Sequence, residues 1–267
     1  MLRYPILLAH GMGFRDDGLI GYWGRIPRAI EAAGGRVFLG HQDSNADVAA
    51  NGEMLLRRID EVLAETGAEK VNIIAHSKGG LDSRYAISTL GAGDRVASLT
   101  TLATPHHGSA TIDRILRLPH WLLRAGCFLA DGWFRLLGDA KPCTWGAITG
   151  FSTQAAADFN AANPDDPRVY YQSYAFAMKG PFSDLLMWLP NLVVGCIEGE
   201  NDGLLPPDAV KWGEFRGVCR GCGRRGISHV DEIDLRRRPL GRKGGEGVSD
   251  IVDVYLEIVK DLRERGL

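Results

Sequence analysis

Three separated stretches of this sequence carry residues suited to nucleophilic catalysis. In "VNIIAHSKGG" an apolar run ends at His76, Ser77 follows, and Gly79 and Gly80 come next. A serine between a strand and a helix has an ordinary role as a helix cap, because its oxygen can accept from the free amides of the first turn. It has a chemical role where the strand bends sharply into the helix. The hydroxyl then stands proud of the sheet, and the tight backbone requires small neighbours, which Ala75, Gly79 and Gly80 supply. The usual pattern is G-x-S-x-G, and Ala75 replaces its first glycine.

A serine hydroxyl is a weak nucleophile near neutrality and needs a base, itself oriented by a carboxylate. In α/β proteins with such a turn the chain order is serine, then acid, then histidine. After Ser77 the histidines are His106, His107, His120 and His229. The first three come too early to follow an acid at a later strand end, so the base is expected at His229 in "GISHVDEIDL". Its acid is expected in "EGENDGLLPP", where Asp202 precedes a permissive Gly203 and Glu198 and Glu200 are alternatives. Two backbone amides could hold a developing oxyanion: that of Lys78, at the start of the helix after the serine, and that of Met12 in "AHGMG".

The elements that must position these residues follow from the apolar pattern. "ILLAH" (6–10), "RVFLG" (36–40), "KVNIIAH" (70–76) and "VASLTTLATP" (96–105) read as strands, and 54–63 carries apolar residues at helical spacing. This alternation predicts the α/β class, with a mostly parallel central sheet flanked by helices and ligands beyond the strands' carboxyl ends. Residues 106–150 are expected to form an inserted helical cap rich in Trp121, Phe128, Trp133 and Phe134. Strands are expected again at 169–176 and 192–199, and a last amphipathic helix at 249–265. The whole chain, 1–267, is expected to be one domain, which its length allows.

Composition narrows the classes. A formal net charge of −2 gives no electrostatic footprint for nucleic acid, so the basic runs 216–225 and 236–243 are read as solvated loops. Five scattered cysteines do not make a disulfide scaffold, and the lone pair Cys219 and Cys222 is read as free thiols or a local disulfide. No apolar run reaches transmembrane length. The opening "YPILLAH" is too short for a signal-peptide core and reads as a strand, so the protein is either cytoplasmic or secreted with its leader absent from this sequence.

Taken together, "PILLAHGMG", "VNIIAHSKGGLDSRY", "LTTLATPHHGS", "EGENDGLLP" and "SHVDEIDL" resemble, in order and approximate spacing, the bacterial lipases of the α/β-hydrolase superfamily. The resemblance runs from about Pro5 to Leu235. It implies an α/β-hydrolase fold, triacylglycerol lipase or carboxylesterase activity, Ser77 as nucleophile, Asp202 and His229 as its relay, and a cap that moves at a lipid interface. It implies no cofactor for the chemistry. One branch of the family carries zinc on histidines upstream of the nucleophile, and only His41 and His76 lie between Gly34 and Ser77, so zinc is not expected. Another branch holds a structural calcium near the catalytic histidine through two aspartates, for which Asp184 and Asp231 are the candidates. Small or emulsified esters are the expected substrates. Polyester cleavage, acyl transfer to an alcohol, and a catalytically silent protein binding an apolar ligand are the alternative readings.

Overall fold

A computed structural model describes residues 2–16, 21–242, 244 and 246–267. Lys243, at the end of the second basic run, lies outside the described residues. Six strands, β1 (Ile6–Ala9), β2 (Val37–Leu39), β3 (Val71–His76), β4 (Val96–Leu102), β5 (Tyr170–Ala177) and β6 (Glu214–Arg220), form one all-parallel sheet in the order β2-β1-β3-β4-β5-β6. Nine helices are described: α1 (Ile26–Ala32), α2 (Val48–Thr66), α3 (Lys78–Ser88), α4 (Ala110–Ile115), α5 (His120–Leu136), α6 (Thr144–Thr149), α7 (Thr153–Ala162), α8 (Trp188–Glu198) and α9 (Ile251–Glu264).

The central strands β1, β3 and β4 are buried along their whole length, as expected where helices cover both faces of a parallel sheet. Their side chains alternate between two cores. Ile6, Leu8 and Ile74 pack with Ile26 and Ile30 of α1 and Tyr255, Ile258 and Leu262 of α9. Leu7, Ala9, Ile73 and Ala75 pack with Leu55, Ile59 and Val62 of α2 and Ala86 and Ile87 of α3. Strand order reverses between β1 and β3, and a crevice opens at the carboxyl ends of strands on either side of such a reversal. Met12 leaves β1 there and Ser77 leaves β3.

Two expected elements differ. Residues 192–199 are not a strand but the end of α8, where Asn191 and Val194 are buried while Leu192 and Val193 face solvent. A short continuous apolar run fits a buried strand or a helix equally, and only its period after folding separates them. Conversely, the basic stretch from Arg216 is not a loop; Glu214–Arg220 is the edge strand β6. Charged side chains belong on an edge, where they discourage pairing with another chain. Cys219 is therefore a strand residue, and Cys219 and Cys222 are both free thiols.

Candidate active site

β3 continues its ladder through Ser77, whose amide bonds the Leu102 carbonyl at 2.9 Å, and α3 begins at the next residue. The turn forces Ser77 to φ 53°, ψ −130°, a conformation that costs a non-glycine residue energy and persists only where surroundings fix it. Those surroundings are visible. The Ser77 carbonyl accepts from Thr104 Oγ1 at 2.7 Å and from the Gly80 amide at 3.1 Å. A Cβ on Gly79 would collide with the Ala9 and His10 carbonyls, and one on Gly80 with the Thr104 side chain. Gly11 is equally constrained: a Cβ there would lie 2.7 Å from that of Ser77, so only glycine lets the β1 loop come this close to the elbow.

The same approach sets Met12 and Lys78, the chain neighbours of Gly11 and Ser77, on two facing turns. Lys78 is the first residue of α3, and the amides of a first turn have no acceptor within their own helix. Its side chain turns inward instead, with Nζ 2.7 Å from Asp82 Oδ1 in a fully buried pair.

Asp202 and His229 meet as the sequence order requires. His229 Nδ1 lies 2.8 Å from Asp202 Oδ2, and the His229 amide bonds the Asp202 carbonyl at 2.8 Å. Asp202 Oδ1 accepts from the Leu204 and Leu205 amides at 2.7 and 2.8 Å. Burial alone would push this carboxyl up, but the His229 charge and these amides hold it below the usual range. Although helix α8 rather than a strand precedes it, the loop returns to the sheet, because the Asn201 carbonyl accepts from the Met178 amide at the end of β5. The alternative acids are committed elsewhere. Glu198 accepts from Ser109, Ala110 and Thr111 at the start of α4, and Glu200 pairs with Arg220 at 2.7 Å.

Ser77 and His229 line one cavity of about 210 Å³, whose remaining walls are Pro105, Ser109, Ile112, Ile148, Phe151, Leu204 and Leu205. None of the four cap aromatics belongs to that lining. Trp121, Phe128 and Trp133 are 74%, 77% and 60% exposed on α5, and Phe134 is half-buried. The sequence showed that the segment is aromatic but not which face of its helix would turn inward. Ile112, Ile148 and Phe151, missed as site residues, carry no chemical signature that separates them from ordinary core.

Asp184 and Asp231 do come together beside the His229 loop, but not around a space for calcium. Arg236 bonds both carboxylates, with Nη2 2.6 Å from Asp184 Oδ2 and Nη1 on Asp231 Oδ1. Arg225 lies 3.3 and 3.4 Å from them, and Ser228 Oγ bonds both at 2.6 and 3.0 Å. Two guanidinium groups thus answer two carboxylates, and a divalent cation placed here would meet like charge. The residues present do not fit calcium.

A second polar group went unrecognised in sequence. Ligand atoms of His76, His229 and Glu232 lie within 4.8 Å of one another, all buried. Here too the atoms are already bonded: His76 Nε2 is 2.8 Å from Glu232 Oε2, and His76 Nδ1 is 2.7 Å from Tyr22 Oη.

Solved structures share this architecture. Bacillus licheniformis lipase BlEst2 in its mature form superposes with a TM-score of 0.70 at 20% identity, covering 97% of this chain and 92% of that one. The fold is that of the α/β-hydrolases. Sequence comparison adds the branch. Residues 40–125 match the family described as "Putative serine esterase" (DUF676). A triacylglycerol lipase of Pseudarthrobacter phenanthrenivorans is 41% identical over 116 residues, 42% of this chain and 36% of that protein. Triacylglycerol lipase 2 of Saccharomyces cerevisiae is 27% identical over 265 residues, 92% of this chain and 74% of that one. Over these stretches the chain is similar to lipases and esterases. The matched stretch spans about a third of the bacterial relative's length.

Proposed function

We propose that the chain hydrolyses carboxylic esters of lipid-like substrates through an acyl-enzyme, with Ser77 as nucleophile, His229 as base and then acid, and Asp202 orienting His229. The observation that carries this reading is that Ser77, strained at the end of β3, and His229, bonded to Asp202, open onto one apolar cavity.

The steps follow from the groups present. His229 Nε2 takes the Ser77 proton as Oγ attacks the ester carbonyl, and the imidazolium is stabilised by the Asp202 charge. The tetrahedral oxyanion receives the Met12 and Lys78 amides, each such donor being worth about 3 kcal/mol in transition-state stabilisation. Collapse expels the alcohol, which takes the proton from His229. Water then attacks the acyl-enzyme by the reverse sequence and releases the carboxylic acid. Pro105, Ile112, Ile148, Phe151, Leu204 and Leu205 give the acyl chain an apolar wall.

The cap supports a lipid-like substrate by its outer surface. α5 exposes Trp121, Leu122, Phe128, Leu129, Trp133 and Leu136 together, more apolar side chain than a helix in contact with water alone requires. Residues 106–150 act in this reading as a lid that opens at a lipid surface. Related proteins named as triacylglycerol lipases favour this substrate class.

The test is a fluorophosphonate probe followed by rates on esters of increasing acyl length, dissolved and emulsified. Labelling at Ser77 that is lost in Ser77→Ala is the expected result. Folded protein without a Ser77 adduct overturns the enzyme and leaves an apolar-ligand binder. Activity confined to short soluble esters overturns the lid, and transfer to added alcohol in preference to water replaces hydrolase with acyltransferase.

A further inference from the structure

We infer that Thr104 is a positioning residue for the oxyanion: its hydroxyl, bonded to the Ser77 carbonyl, sets the direction in which the Lys78 N–H points. The inference rests on the reading of Ser77 as nucleophile and of the Lys78 amide as an oxyanion donor.

One peptide unit joins the two groups. The Ser77 carbonyl and the Lys78 N–H belong to the same planar amide, and in a trans peptide they point in opposite directions. No cis peptide occurs among the described residues. Whatever fixes the carbonyl therefore fixes the donor. Ser77, at φ 53° and ψ −130°, lies outside both the helical and the strand regions, so neither regular structure holds this amide for it. A change in ψ would swing the Lys78 N–H relative to the Ser77 side chain.

Thr104 supplies the missing restraint. Its Oγ1 lies 2.7 Å from the Ser77 carbonyl oxygen, and a carbonyl can only accept, so the hydroxyl hydrogen goes to Ser77. Thr104 is fully buried, so water does not compete for the bond. Donation to the carbonyl also polarises the amide and makes its N–H a stronger donor. Gly80 gives the arrangement a trace in the sequence, because a Cβ there would collide with Oγ1 and Cγ2 of Thr104. The second glycine after the nucleophile is room for the threonine.

The loop that carries Thr104 is itself fixed on both sides. Before it, Ala103 stands at φ 46°, a left-handed bend that surroundings must hold, and its amide bonds the Tyr174 carbonyl at 3.1 Å. After it, the His106 amide bonds the Thr104 carbonyl at 2.8 Å, and His106 Nε2 lies 3.0 Å from Thr101 Oγ1. Asn160 Nδ2 donates to the His106 carbonyl at 2.8 Å, and Asn160 Oδ1 accepts from Arg84 Nη1 at 2.7 Å. Arg84 belongs to α3, and its guanidinium carbon stands 3.6 Å from the centre of the Trp212 ring. The loop thus meets α3 twice, at Ser77 and about two turns further on. A threonine anchored in this way cannot follow a drifting elbow; it holds the elbow in place.

Thr104→Ala and Thr104→Ser differ by the hydroxyl alone. On a soluble ester Thr104→Ala should lose about 20-fold in kcat with KM within about twofold, less than the about 10²- to 10³-fold of a deleted oxyanion donor, because the Lys78 amide is still present. Thr104→Ser should stay within about threefold of wild type. Thr104→Val, which keeps the buried volume, carries the alanine expectation if the smaller side chain costs the fold. A serine variant no better than alanine, or an alanine variant as fast as wild type, overturns the inference. An alkyl trifluoromethyl ketone gives a readout that packing alone does not move, since it adds to the serine hydroxyl and places a negative oxygen where the oxyanion forms. Its inhibition constant should rise in Thr104→Ala by about the factor lost from kcat/KM, while that of an unreactive alcohol with the same chain stays unchanged. Equal weakening of both inhibitors overturns the inference in favour of packing. Fluorophosphonate labelling of wild type separates the two failures: labelled protein with an unimpaired Thr104→Ala loses only this inference, whereas folded wild type without a Ser77 adduct loses the esterase reading and the positioning role with it.

Discussion

Two buried pairs of carboxylates flank His229, and they neutralise themselves by different means. Asp184 and Asp231 are clamped by Arg225 and Arg236, charge against charge. Asp202 and Glu232 sit just as deep with no guanidinium, each against a histidine, Asp202 on His229 and Glu232 on His76. The difference follows from what each pair must do. In the proposed mechanism, an arginine beside Asp202 would oppose the imidazolium that His229 becomes. The arginine clamp has no such duty and only fastens the 181–187 segment to the loop that carries His229.

The largest expected effect breaks the functional pair. Asp202→Asn removes the charge that stabilises the imidazolium and presents the wrong hydrogen-bond pattern to Nδ1, so kcat should fall by about 10³- to 10⁴-fold while the unfolding midpoint in urea moves little. Arg236→Leu should do the reverse. It strips the principal partner from two buried carboxylates and should cost about 3 kcal/mol in urea unfolding, with kcat reduced only as far as the His229 loop loosens. If both substitutions damage stability and rate alike, the division of labour between the pairs is wrong.

How far the sequence revealed these pairs depends on what distinguishes each residue. Ser77, Asp202 and His229 stood out as candidates because the expected chemistry has that order and because Gly11, Gly79 and Gly203 interrupt the local pattern. Strands β1, β3 and β4 were legible because a sheet covered on both faces writes continuous apolar runs, and the edge strand β2 because it keeps the short apolar run Val37–Leu39. β6 was hidden because an edge strand needs no such run, and α8 because its run of apolar residues fits either period. The pairing of Asp184 with Asp231 was inferred from resemblance and is observed, and their partners among the described residues are Arg225, Arg236 and Ser228. Arg225 and Arg236 lay within basic stretches that look like solvated loops, and only the fold turns them inward. Glu232 and His76 were within quoted motifs, yet nothing local separates a buried acid or imidazole from a surface one.

A pH scan of stability sharpens the comparison, because one carboxyl of each pair, Glu232 and Asp184, depends on pH with opposite sign. Glu232 has its native pKa raised, so its contribution is complete below the ordinary carboxylate range and is lost as pH rises through the native value. Asp184 has its native pKa lowered by Ser228, the Leu186 amide and Arg236 against the effect of burial, so its contribution is present above that range and is lost as pH falls through the native value. Besides Asp202, Asp231 and Cys219, the groups facing Glu232 are His76, His229, Tyr22 and Tyr255, and only a difference against Glu232→Gln isolates the one carboxyl. Wild type should lose melting temperature relative to Glu232→Gln as pH rises above about 5, where an ordinary carboxyl has ionised. Arg236→Leu should differ from wild type most at neutral pH and least in acid, where Asp184 is protonated in both.

The smallest expected effect is the response to chelation, and it bears on the clamp most directly. Calcium stabilises a protein by binding the folded state alone, so removing it lowers the melting temperature in proportion to the logarithm of its occupancy. Guanidinium groups are part of the chain and cannot be removed by a chelator. With Arg236 bonded to both aspartates, wild type should melt at the same temperature in EDTA and in millimolar calcium. Arg236→Leu leaves Arg225, at 3.3 and 3.4 Å, as the remaining cation and exposes carboxylate oxygens to an added ion. A rise in its melting temperature with calcium, absent in wild type, would show that the arginine occupies the electrostatic position of a cation. A wild-type protein destabilised by EDTA would show instead that the clamp opens in solution and admits the metal.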